Sequence, residues 1–335
     1  MSSTSQRRPQ RAKWLAGLVA TAALAGLTAL PLVRVSSAPP TDTGKGRRFQ
    51  LAAPYDFTAE TYGHKFITRT AGARAQAERL GAQLVADYGT FQLYRTGSDN
   101  TSAFGNIAGI EMADEFNVVH LNVPINTTSR GARELAQERQ RLGSGKHLHV
   151  VQFAGPVRPE WFAALQSTGV RIINYLPHNA YLVYGDTASL ERVSRLGEDT
   201  RRAADTRDGS GSFKQWDGPY LGAFKLDPAT ADVAPQGTQR YAVQLVADPD
   251  TNRETIQLAE SFVGKPAIQK YQIADFVNFI VELPSSALMR LAAQEDVISI
   301  MPYTEPTLLD ERQNQILINS LTGGIPNLST PYATS

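Results

Sequence analysis

An α+β fold of tandem two-layer units, with helices on one face of an antiparallel sheet, is predicted by three observations. The order strand, helix, strand, strand, helix, strand occurs twice, over Leu148 to Tyr220 and over Tyr241 to Tyr303. The first helix of each copy stops at a matching glycine, Gly169 or Gly264, where the left-handed C-terminal conformation favours that residue. The strand segments are short and rich in Val, Ile, Tyr and Phe, which suit a half-buried pleated surface. With both helices on one sheet face, that order is the split βαβ, or ferredoxin-like (βαββαβ), sandwich.

Taken in order, the chain opens with Arg7, Arg8, Arg11 and Lys13 before an apolar run from Trp14 to Val33, and Ser36-Ser37-Ala38 follows. This predicts a signal peptide or membrane anchor over 1–38 and an extracytoplasmic location for the rest, secreted if the segment is cleaved. Residues 39–60 read as a flexible spacer rich in Pro, Thr, Gly and Arg. In 61–146, a helix from Gly72 to Leu80 and strands Ala82 to Asp87 and Thr90 to Tyr94 predict a partial N-terminal copy of the repeat. Phe116 to Val123 has strand composition, and Ser129 to Leu142 is a charged helix pattern.

The first ferredoxin-like unit spans 147–226. Leu148 to Phe153 is a strand pattern, Pro159 opens a helix, and Val170 to Tyr175 and Ala180 to Tyr184 flank the turn Pro177-His178-Asn179. Asp186 caps the next helix, and a last strand lies near Phe213 to Trp216. Residues 227–240 form a linker, and 241–305 the second unit, with strands Tyr241 to Val246, Ala267 to Gln272, Phe276 to Leu283 and Val297 to Met301. An extended C-terminal tail occupies 306–335.

With 33 basic and 32 acidic residues, the net charge of +1 supplies no field for nucleic acid or an anionic surface, so neither is an expected partner; membrane contact is expected only through the N-terminal segment. The absence of cysteine excludes disulfides, thiolate metal sites and cysteine nucleophiles. Asp42-Thr43-Gly44 matches a peptidase aspartate signature but sits in the spacer, and Gly143-Ser144-Gly145-Lys146 lacks the first glycine and the hydroxyl of a phosphate loop. Asp248, Asp250 and Asn252 have calcium-loop spacing, yet Arg253 and Ala259 stand where that loop needs Gly and Glu, so a helix cap is the better reading. Asp199, Asp205 and Asp208 are interleaved with arginines as in a solvated loop, and His147 and His149 share a strand face without a third ligand. No Gly-x-Ser-x-Gly elbow occurs. Trp161, Trp216, Tyr220 and Tyr303 read as packing residues. These motifs imply no cofactor, no metal and no catalysis.

Four phrases, Val150-Val-Gln-Phe-Ala-Gly-Pro156, Pro177-His-Asn-Ala-Tyr-Leu-Val-Tyr184, Gln215-Trp-Asp-Gly-Pro-Tyr220 and Asp310-Glu-Arg-Gln313, resemble the amino-terminal pro-region of secreted bacterial subtilisin-like serine peptidases, over residues 70 to 320. The resemblance implies a prodomain that acts as intramolecular chaperone and temporary inhibitor of a subtilisin-like catalytic domain, in cis or in trans. In that family the sheet packs on two surface helices of the enzyme and the segment after the last strand enters the active-site cleft. Carried over, that segment begins at Pro302, Tyr303, Thr304 and Glu305. The family's aspartate strand motif, His-Gly-Thr segment and Gly-Thr-Ser-Met-Ala segment have no counterpart here. A truncated precursor, a split gene product and a free-standing inhibitor are all consistent with this pattern. The alternative is an exported cell-surface protein-interaction module without a peptidase partner.

Overall fold

The structure is a computed structural model that describes residues 54–58, 63–97, 101–197, 212–232, 237–305, 321–322 and 325–326. The fold is α+β, and it contains the sandwich three times.

The first sandwich comprises β1 (His64–Thr68), α1 (Ala71–Arg79), β2 (Gln83–Asp87), β3 (Gln92–Thr96), α2 (Thr101–Gly105) and β4 (Ile110–Met112), in the sheet order β2-β3-β1-β4. The N-terminal copy is therefore fuller than the helix-strand-strand piece read between 72 and 94. It gains β1 and β4, both paired antiparallel with their neighbours. Thr70 caps α1, its hydroxyl accepting from Ala73 N at 3.2 Å. Phe66 and Tyr94 on the sheet stack with each other, and Phe66 with Phe104 of α2, to form the helix-side core.

A connector follows: a 3-10 turn at Asp114–Asn117, β5 (Val118–Val119), β6 (Ile125–Asn126) and α3 (Arg130–Gln137), which runs into a 3-10 turn at Glu138–Arg141. The strand expected over Phe116 to Val123 is reduced to two residues. Phe116 and Asn117 are drawn into the turn, and Asn122 turns away to donate through Nδ2 to Phe224 O at 3.0 Å and Leu226 O at 2.7 Å. The second sandwich is β7 (Lys146–Phe153), α4 (Pro159–Ser167), β8 (Arg171–Leu176), β9 (Ala180–Asp186), α5 (Thr187–Arg195) and β10 (Lys214–Pro219), ordered β10-β7-β9-β8. Strand β10 runs three residues past the expected end at Trp216. His178 and Asn179 have φ of 62° and 66°, so the turn at 177–179 is built on left-handed residues.

After α6 (Gly222–Lys225) and a 3-10 turn at Pro228–Asp232 comes the third sandwich: β11 (Thr238–Val246), α7 (Pro249–Ser261), β12 (Gln269–Ile273), β13 (Phe276–Pro284), α8 (Leu288–Ala292) and β14 (Val297–Pro302). Its order, β12-β13-β11-β14, repeats the same topology. Strand β11 takes the last three residues of the expected linker. A small pair, β15 (Leu321–Thr322) and β16 (Ile325–Pro326), lies in the C-terminal part.

The sheet faces away from the helices differ among the three units. On the first sheet, Ile67, Val85 and Leu93 pack on Ala113 and on Ala154 of the second sandwich. On the second, Leu148, Val150, Ala180, Leu182, Tyr184 and Trp216 are buried under Val119, Ile125, Ala132 and Leu135 of the connector, Phe57, Phe224, and Val246 and Ile298 of the third unit. A docking surface common to every sandwich is thus ruled out by the chain's own packing. At Gly131 in α3 the helix lies so close to residue 56 that an added Cβ would stand 2.2 Å from Asp56 O. Gly131→Ala is expected to force α3 and the Phe57 segment apart and to cost about 1–3 kcal/mol in chemical denaturation; an unchanged midpoint would mean that this contact does not hold the connector down.

Candidate functional site

Only on the third sandwich, among the described residues, does the sheet face opposite the helices remain partly open with large apolar side chains exposed. Register fixes which residues share it. Met301 pairs with Ala242, Ala242 with Ile280, and Ile280 with Gln269; in the next row Ser299, Gln244, Asn278 and Tyr271 align across the sheet; Val246, Phe276 and Ile273 follow. The odd-numbered set Tyr241, Val243, Phe279, Val281 and Leu283 faces α7 and α8, so these rows lie on the other side. Val246 is plugged into the central core, whereas Tyr271, Ile273 and Met301 are 44%, 61% and 44% exposed. Gln244 Nε2 donates to Asn278 Oδ1 at 3.0 Å, which pairs two amides in the middle of the face.

The four residues read as entering a cleft lie at one end of this face. Pro302 is still in β14, opposite Tyr241, and Tyr303 N donates to Arg240 O at 2.9 Å. The chain therefore leaves the sheet at Thr304 and Glu305, both exposed. The apolar side chains beside them, Tyr271, Ile273 and Met301, were not singled out by sequence reasoning. Their signal was available: Tyr271 and Ile273 alternate with Lys270 and Gln272.

The remaining chemistry-bearing residues are held in structural networks. His149 is fully buried and donates through Nε2 to Asp217 Oδ2 at 3.0 Å; Arg139 reaches the same oxygen at 2.7 Å and Lys214 the other at 2.6 Å. Burial alone would raise the Asp217 carboxyl, but the hydrogen bond from His149 and the charge of Lys214 outweigh it and hold it below the ordinary carboxylate range. Burial lowers His149, whose unpartnered Nδ1 fits the neutral ring. His147 sits between Gly143 O and the Glu295 carboxylate, which raises it, so the two strand histidines serve different partners. Asp248 caps α7 by accepting from Asp250 N at 3.2 Å and takes Lys146 Nζ at 2.8 Å and Tyr184 OH at 3.1 Å. The cap reading of Asp248, Asp250 and Asn252 holds. Among the described residues no group of three or more His, Asp or Glu is placed to hold a metal ion, and no helix is long and apolar enough to cross a membrane.

Trp161 stacks on Phe153 and Phe213 in the helix-side core of the second unit, while Trp216 Nε1 donates to Ala132 O at 2.8 Å. Tyr220 OH lies 3.1 Å from Phe224 O and 3.2 Å from Ile298 O, its single proton shared between them, and so bridges the second and third sandwiches. His120 and His178, distant in sequence, meet with ring centroids 4.5 Å apart. Asp42, Gly44, Asp199, Asp205, Asp208 and the phrase Asp310 to Gln313 lie outside the described residues, as does the segment 1–38.

The family model described as "Domain of unknown function (DUF8729)" matches residues 115–205. The match begins in the connector and runs through β7 to α5, a stretch that supplies Val119, Ile125, Leu135, Leu148, Val150 and Leu182 to the central core. No curated protein matches the chain.

Two substitutions test these networks. Asp217→Asn leaves Arg139 and Lys214 without a buried counter-charge and should cost about 3–5 kcal/mol by urea denaturation. Lys225 is fully buried beside Tyr220, and burial lowers its ammonium to about 8. Because the unfolded chain binds that proton more tightly, wild-type stability is penalised below about pH 8 and the penalty fades as pH rises toward 10.4. Lys225→Met should accordingly gain about 1–3 kcal/mol at pH 7 and lose that gain by pH 10. A gain that is independent of pH would contradict the assignment.

Proposed function

We propose that the chain is a non-catalytic docking module that acts as folding assistant and temporary inhibitor of a subtilisin-like serine peptidase, with the third sandwich as its contact unit. The observation that supports this reading is the open face of the third sheet, which carries exposed Tyr271, Ile273 and Met301 while the corresponding faces of the other two units are covered by the chain itself. A four-stranded antiparallel face of this kind offers apolar area to two helices of a partner. The chain leaves the same sheet at Thr304 and Glu305, just past Met301 and Pro302, and on this reading that stretch adds a strand to a cleft. Non-local strand pairing makes a peptidase domain slow to fold, and a preformed surface that binds its helices lowers that barrier.

Added in trans, the chain is expected to slow peptide hydrolysis by a secreted subtilisin-like catalytic domain at micromolar concentration. Ile273→Asp and Met301→Asp, both at exposed positions that leave the core intact, should each weaken the effect about tenfold or more, and Leu80→Asp on the first sandwich should leave it unchanged. No slowing, or slowing indifferent to the substitutions, overturns the proposal. Survival of the chain beside a peptidase that it neither binds nor slows favours the exported interaction module instead.

A further inference from the structure

A cleft of about 350 Å³ opens at the seam where one end of the middle sheet meets Ala247, Asp248 and Pro249 of the third sandwich. That volume falls within the roughly 300–1,000 Å³ of small-molecule sites. Strand register sets four of its lining residues on one sheet face: Arg171 pairs with Tyr184, and Asp186, two residues farther along β9, pairs with Lys146. Arg171 and Asp186 are thus diagonal neighbours, with Cβ atoms about 7–8 Å apart.

Two of the four charges in the wall answer each other. Asp248 takes Lys146 Nζ at 2.8 Å and Tyr184 OH at 3.1 Å through Oδ2, and Asp250 N at 3.2 Å through Oδ1. The other two are not so engaged. Arg171 Nη1 donates to Ala247 O at 3.0 Å and the guanidinium lies 5.4 Å from the centre of the Tyr184 ring, but Nε and Nη2 are buried without a hydrogen-bond partner. These two nitrogens form the side of the planar fork that grips both oxygens of a carboxylate, and leaving it unanswered inside the seam is costly. Asp186, exposed at the rim, caps α5 by accepting from Ser189 N at 2.7 Å, a bond that holds its carboxyl below the ordinary range and so keeps it an anion at neutral pH.

We propose that this cleft binds a free α-amino acid, its carboxylate on the Nε–H and Nη2–H edge of Arg171 and its ammonium at Asp186. An unanswered cation and an exposed anion on one face call for a ligand that carries both opposite charges a short distance apart; a lone carboxylate or a lone amine answers only half of the site. Nε and Nη2 are closed to water in the bare cleft, so binding turns the guanidinium about its terminal torsions to meet the ligand. The inference is independent of the peptidase reading, since it uses none of Tyr271, Ile273 and Met301.

Calorimetric titration of the full chain with the standard L-α-amino acids, and then with the deaminated and the decarboxylated analogue of the tightest binder, tests this. Saturable binding is expected for at least one amino acid, with both analogues about tenfold weaker or more. Arg171→Lys keeps the charge but loses the two-pronged edge and should weaken binding about tenfold or more. Asp186→Asn, which still caps α5, should weaken it to a similar degree while leaving the urea midpoint of the free chain unchanged. The absence of saturable binding up to about 10 mM of any amino acid, a deaminated analogue that binds as tightly as its parent, or affinity unchanged in either variant overturns the proposal.

Discussion

The face of the middle sheet that carries Leu148, Val150, Ala180, Leu182, Tyr184 and Trp216 cannot be left in water, and the described fold is arranged around covering it. A sandwich of this size has one face buried by its own helices. The second face must be solvated or covered by something else. Here the cover is assembled from four places in the chain: Phe57, the connector from Val119 to Leu135, Phe224, and Val246 with Ile298. Each large apolar side chain taken from water in this way contributes about 1.5–3 kcal/mol to holding the cover in place. The connector is therefore part of the core, fixed by the bond from Trp216 to Ala132 O and by the close approach of Gly131 to Asp56.

Buried carboxylates sit where the pieces join, and each is answered by several donors. Asp217 gathers the connector's Arg139, the β7 His149 and the β10 Lys214; Asp248 ties Lys146 and Tyr184 of the second unit to the start of α7; Asp296 takes Asn252 Nδ2 and Thr255 Oγ1 at 2.8 and 2.6 Å. Buried ion pairs recover little net stability after desolvation. Their directional geometry selects one arrangement of the seam, since a slipped register would strand a charge. Lys225, whose Nζ donates to Gln294 O at 2.7 Å, performs the same service between α6 and the third unit at a cost that its lowered pKa records.

The repeat was legible because its signals are local. Gly169 and Gly264 stop their helices with φ of 83° and 65°, and Thr70, Ser129, Asp186 and Asp248 cap theirs as short polar residues do. What the sequence hid depends on distant partners. Strand β4 is three residues long and pairs with β1 some forty residues earlier, so its composition alone carries little signal. Phe116 to Val123 has strand-forming residues that are used as a lid, and nothing within the segment distinguishes the two uses. The alternation of Tyr271 and Ile273 reads as an inward face until pairing with Asn278 and Phe276 places it opposite the helices. For Pro302 to Glu305 the location was legible, but the extra backbone bond that keeps Tyr303 in the sheet was not.

The open face of the third sheet differs from the covered face of the middle one in composition, and that difference bears on what it can do. On the middle sheet's covered face, Gln152 has its Oε1 answered by Thr127 Oγ1 at 2.6 Å and its Nε2 donating to His178 O at 3.2 Å, while its neighbours are apolar; such a face suits a permanent cover. On the third sheet, Gln244, Asn278 and Gln269 interleave with Ile280, Tyr271 and Met301. The amides satisfy one another or water when the face is bare, and the apolar side chains supply the gain when it is covered, which is the mixed polarity of non-obligate interfaces. The Gln244 to Asn278 bond pairs these two amides whether the face is bare or covered. On the proposed reading as a temporary inhibitor, this mixed polarity suits a contact face that is bare for part of the time.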